Sequence, residues 1–110
     1  MKSYSLWIDK KRQAIIKNNN IIYKKNSNTV LVQTIFSGIS KGTEKLVSSK
    51  LVNKNQFQIM KAPFQVGTFN FPIKYGYINV GKIINGPKKL INKNIFTLYP
   101  HQTLYEILIK

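Results

Sequence analysis

Apolar runs of strand length recur along much of the chain, separated by turn-forming residues. The runs are YSLWI (Tyr4 to Ile8), QAIIK (Gln13 to Lys17), NIIYK (Asn20 to Lys24) and TVLVQTIF (Thr29 to Phe36), then KYGYINVGKII (Lys74 to Ile84), NIFTLY (Asn94 to Tyr99) and TLYEILI (Thr103 to Ile109). Runs this short, rich in Ile, Val and aromatics, predict antiparallel strands rather than helices. Asn18 to Asn20 tolerate left-handed backbone and predict a tight turn; Asn26 to Asn28 predict a loop, and Gly86-Pro87 a turn. The reading is a mainly β chain.

The stretch from Lys41 to Asn70 has a different texture. Thr43 is suited to cap a short helix through Leu46 and Val47, and NQFQIMK, Asn55 to Lys61, allows another turn or two. One or two short helices are therefore expected. Pro63, Gly67 and Pro72 then punctuate an extended loop whose Phe64, Phe69 and Phe71 are spaced too closely to share one strand face. They either pack beneath the loop or line a pocket; Phe64 and Phe69 are candidates for substrate contact.

Two glycine-spaced segments answer one another: SGISKGTE, Ser37 to Glu44, at the end of an apolar strand, and KYGYINVGKI, Lys74 to Ile83. Together with MKAPFQ and LYPHQ they resemble the catalytic domain of the medium-chain dehydrogenase/reductase superfamily, the alcohol dehydrogenase-like enzymes, and most closely a bacterial subgroup similar to the bacteriochlorophyllide-a dehydrogenases. In zinc-dependent members one strand ends in small-Gly-x-Cys and a later segment reads Gly-His-Glu-x-x-Gly. Here Ser40 stands at the Cys position, Tyr77 at the His and Ile78 at the Glu, while Gly38, Gly76 and Gly81 keep the frame. The likeness runs from about Thr29 to Ile107.

The resemblance implies one GroES-like domain over residues 1–110, a partly open β-barrel that presents an alcohol or carbonyl substrate to NAD(P) held elsewhere. Zinc is not expected, because the ligand positions have lost their thiol and imidazole. A Rossmann nucleotide-binding domain is expected on another polypeptide or in a missing C-terminal half. GYINVG lies within a strand pattern, without the following helix N-terminus that dinucleotide phosphates require. In the superfamily the chain leaves the barrel near the equivalent of Lys110, which implies a missing barrel piece and an exposed hydrophobic edge.

With zinc gone, hydroxyls must polarise the substrate oxygen and a neutral-range group must carry the proton. Ser40, Thr43 and Tyr77 are the candidate hydroxyl donors. His101 is the one side chain with an ordinary pKa near neutrality. Glu44 is placed at the substrate or turn, and Glu106 resembles a Glu of the family's Ala-Glu-Tyr. Each has a plainer role available: Ser40 and Thr43 as caps, Tyr77 as a core aromatic, His101 as a structural histidine. No paired carboxylates, nucleophile triad or phosphate loop can be discerned in the sequence, and the chain is expected to be inactive alone.

Composition narrows the alternatives. Cysteine is absent, which excludes disulfides and thiolate metal sites. No signal-peptide core or membrane-length apolar run is present, so a cytoplasmic protein with no membrane partner is expected. The net charge of +15 keeps a second class open, a small basic β-barrel binding RNA or DNA. But 17 lysines accompany the single Arg12, and they are scattered, so any contact with nucleic acid is expected through non-specific charge. A non-catalytic adaptor that keeps the fold is the third possibility.

Overall fold

The computed structural model of the chain describes residues 1–109. Eight antiparallel strands form two four-stranded sheets that do not close into a barrel. The first has the order β2-β1-β5-β4, with β1 Lys2–Ile8, β2 Ala14–Asn20, β4 Val66–Gly67 and β5 Ile73–Lys74. The second has the order β7-β6-β3-β8, with β3 Thr29–Ser37, β6 Asn79–Asn85, β7 Asn94–Thr97 and β8 Leu104–Leu108. Two short α-helices, α1 Thr43–Ser48 and α2 Phe57–Met60, sit between the halves of the chain. The expectation of a mainly β chain with one or two short helices holds. Among the described residues no helix is long and apolar enough to cross a membrane.

The first hairpin departs from the turn expected at Asn18 to Asn20. Those asparagines continue β2, opposite Tyr4, Ser3 and Lys2. The reversal comes earlier, where Asp9 Oδ1 accepts the N–H groups of Lys11 and Gln13, both at 2.9 Å, and Arg12 takes a left-handed φ of 61°. An Asx side chain bonding two residues ahead closes a turn more tightly than asparagine backbone alone. Since β2 is an exposed edge strand, polar residues in it cost no core contact. NIIYK does not form a strand beyond Asn20; it leaves the sheet, tied down by Tyr23 Oη donating to the Thr29 carbonyl at 2.8 Å.

Lys74 to Ile84 does not run as one strand either. It breaks at Tyr75 to Ile78, so β5 joins the first sheet and β6 the second. That break builds the seam, where Gly76 approaches Pro100 and His101 so closely that a Cβ would lie 3.0 Å from His101 Nε2. Across the seam Leu6 N–H donates to His101 O at 3.0 Å and Thr103 N–H to Tyr4 O at 2.8 Å.

Two apolar cores result. Val30, Val32, Ile83 and Tyr105 fill the second sheet's inner face, and Tyr99 stacks on Tyr105 at 3.9 Å. Val47, Ala62, Phe69, Phe71, Ile73 and Tyr75 form the other, beneath the helices and the loop. β7 and β8 are edge strands; Phe96 and Leu108 on them, and Leu98 just after β7, are exposed beside an open groove that also takes in Phe64.

Candidate active site at the seam

Ser37 ends β3, and the chain then turns through Gly38 to Ser40 into α1. A Cβ on Gly38 would lie 2.9 Å from Ile78 Cγ2, and its N–H donates to Ile78 O at 3.0 Å, so this turn packs directly on the break between β5 and β6. The winding into α1 starts early, with Glu44 N–H donating to Ser40 O at 3.2 Å. Glu44 is thereby aimed back at the start of its own turn. Its Oε2 accepts the Ser40 N–H at 2.5 Å, while Ser40 Oγ accepts the Glu44 N–H at 3.2 Å. This reciprocal pair resembles a capping box but spans four residues in place of three and lies ahead of the helix's cap position at Gly42.

His101 arrives from the β7–β8 connection and meets this turn. Its Nε2 lies 2.5 Å from Glu44 Oε1 and its Nδ1 2.7 Å from Ser37 Oγ. An ionised carboxylate only accepts, so Nε2–H donates to Glu44; Nδ1 of the neutral ring then accepts the Ser37 hydroxyl proton. The pair is largely withdrawn from water, with side-chain exposures of 8% for His101 and 13% for Glu44. It is the single contact of salt-bridge distance between a basic and an acidic side chain among the described residues, and an ion pair only when the ring is protonated.

Beside it lies a half-open cavity of about 240 Å³. Leu6, Ile8, Ile39 and Ile73 supply apolar walls, Tyr75 a ring, and Ser40, Glu44 and His101 the polar groups, with Lys41 and Lys45 also on its lining. His101 in addition lines a second hollow of about 300 Å³, formed with Tyr4, Ile35, Phe36 and Ser37. It therefore separates two recesses, Glu44 on one side and Ser37 on the other. Tyr75 donates to Met60 O at 2.7 Å; burial, assisted by Tyr77 and Glu44, pushes its phenol up to about 12.

The structure sorts the expected site residues. Ser40, Glu44 and His101 come together at the cavity. Thr43 does not cap α1: it is the first helical residue, Gly42 takes the cap position, and no side-chain bond caps the helix. The turn ahead of the helix is held by the reciprocal Ser40–Glu44 bonds instead. Tyr77 does not line the cavity; it packs edge-on against Tyr75 at 6.2 Å, on the flank of the helix-side core. Phe69 is a core residue 5.1 Å from the Phe57 ring, and Phe64 packs on Tyr99 at 5.0 Å beside the other groove, so neither touches this cavity. Glu106 accepts from Thr29 Oγ1 at 2.6 Å on the surface.

Sequence reasoning missed Ser37, Lys41 and Lys45. Ser37 was legible only as the first letter of the turn. The Ser37–His101–Glu44 chain has the connectivity of a nucleophile, base and acid, which no sequence motif announced. The N–H of Gly38 beside Ser37, which an acyl oxyanion would call upon, is taken by Ile78 O.

The longer α-helix has six residues, and the glycines of GYINVG run into β6 instead of a helix N-terminus. Among the described residues no three His, Cys, Asp or Glu side chains gather into a metal-holding group. No protein-family model, curated protein or solved structure matches the chain.

Proposed function

We propose that the chain is the substrate-holding portion of a zinc-independent alcohol dehydrogenase-like oxidoreductase, inactive by itself, with NAD(P) bound by a separate Rossmann polypeptide. The observation that carries this reading is the buried His101, both ring nitrogens engaged, on the wall of a small apolar cavity beside Ser40 and Glu44. Such a cavity suits an alcohol or carbonyl compound with an apolar body. Ser40 Oγ accepts one bond, and its proton has no acceptor among the described residues, so it is available to the substrate oxygen. Glu44 Oε1 keeps a lone pair beside the His101 bond and can take the proton of a bound hydroxyl. The superfamily likeness of SGISKGTE, KYGY and LYPHQ supports the same reading, since these three segments build the site.

The test supplies a Rossmann-domain polypeptide and NADH in trans with small ketones. Turnover should appear and fall by about 100-fold or more in His101→Gln and Glu44→Gln. Turnover equal to wild type in both variants would overturn the reading.

A further inference from the structure

We propose that the ligand of the seam cavity is a small carboxylate with an apolar body, an oxo or hydroxy acid whose anionic end is held by Lys41 and Lys45. This rests on the substrate-site reading and narrows its chemistry. The cavity's one acid, Glu44, has both oxygens engaged, Oε2 by Ser40 N–H and Oε1 by His101. Its one negative charge offsets one of the two lysine charges and leaves the lining net positive, and among the described residues neither lysine forms an ion pair. Helical winding spans the turn, with Leu46 N–H donating to Gly42 O at 3.2 Å, so Lys41 and Lys45, four residues apart, emerge on one side. A lining with two lysines against one carboxylate disfavours a cation and favours an anion. The walls of Leu6, Ile8, Ile39 and Ile73 require the rest of the ligand to be hydrocarbon. A volume of about 240 Å³ falls below the range of drug-sized pockets and limits it to a short chain or single ring.

The experiment titrates the isotopically labelled chain by NMR with ketoisocaproate and with methyl isobutyl ketone, which differ only by a carboxylate in place of a methyl. Both should shift the amide signals of Ile39, Ser40 and Tyr75, and the acid should bind roughly five-fold more tightly at low salt, the size expected of exposed charges. Molar salt, or Lys41→Met combined with Lys45→Met, should remove the acid's advantage over the ketone. If both ligands bind at the cavity with equal affinity, the acid proposal is overturned and the site stands. If neither shifts those signals, both readings fall. An advantage that survives in the double variant, or acid-induced shifts confined to other lysines such as Lys88 and Lys89, also overturns the proposal.

Discussion

The two halves of the molecule hold themselves together differently. The second sheet has long ladders, nine residues in β3 and seven in β6, and a core of alternating strand residues closed by the Tyr99–Tyr105 stack. The first sheet ends in two strands of two residues each, and its core gathers Val47 of α1 and Ala62, Phe69 and Phe71 of the loop around Ile73 and Tyr75. Regular pairing makes a rigid support; the irregular half leaves room for a cavity, and the polar cluster forms where the two meet. Loops carried on a scaffold commonly hold chemistry for this reason.

The strongest challenge to this contrast is Tyr105→Ala. It deletes a fully buried ring, its stack on Tyr99 and its bond to Thr97 at 2.6 Å, and should cost about 3–5 kcal/mol in urea unfolding. A loss below about 1 kcal/mol would mean the second sheet is not the support. Next is Glu44→Ala at the seam. It strands His101 Nε2 and the Ser40 N–H, for an expected cost of about 1–3 kcal/mol, and should broaden the NMR signals of residues 38–48 while the second sheet's remain sharp.

The pH response distinguishes two buried groups at the junction. Lys74 donates to Gln102 Oε1 at 2.6 Å, and burial lowers its pKa below the ordinary 10.5. As pH rises from the lowered value toward 10.5 the unfolded chain holds more protons, so stability from this group increases. Tyr75 acts oppositely: with its pKa raised from 10.0 to about 12, the unfolded phenol ionises first and stability falls across that window. Burial also raises Tyr99 and Tyr105, which deepen the fall. Denaturation across alkaline pH should show a rise and then a decline. Lys74→Met should remove the rise, and Tyr75→Phe should make the decline shallower.

The smallest effects are expected away from the seam cluster. Tyr77→Phe keeps the ring on Tyr75 and should change unfolding stability by no more than about 0.5 kcal/mol and leave ketone affinity unaltered. A large loss of affinity would return Tyr77 to the site. Dialysis against a chelator should not move Tm, because no cluster of three metal donors exists among the described residues. A fall in Tm, with stoichiometric zinc found by elemental analysis, would contradict that.

Most strands were legible because alternation and β-branched runs encode them locally: Thr29 to Phe36 became β3 and Thr103 to Ile109 contained β8. Where the pattern misled, a specific contact had intervened. Asp9 captured two N–H groups and moved the hairpin turn ahead of the asparagines, and the packing of Gly76 on His101 split a single apolar run into β5 and β6. The three phenylalanines of the loop show the same limit. Phe69 and Phe71 went into the core and Phe64 to the far groove, a division that spacing alone leaves open.

The sequence by itself determined a β-rich chain with short helices, an absence of thiols and a strong positive charge, because strand preference, composition and charge are properties of residues and their near neighbours. It also marked Ser40, Glu44 and His101 as groups with chemistry to offer. Only the tertiary structure decided that Glu44 and His101, 57 residues apart, share a hydrogen bond, and that Ser37, 64 residues from His101, completes the chain. Only it removed Thr43, Tyr77, Phe64 and Phe69 from the cavity and set Lys41 and Lys45 on its lining. The physical reason is that a site is a meeting of distant segments, fixed by how two sheets pack at a seam, and no local pattern encodes that meeting.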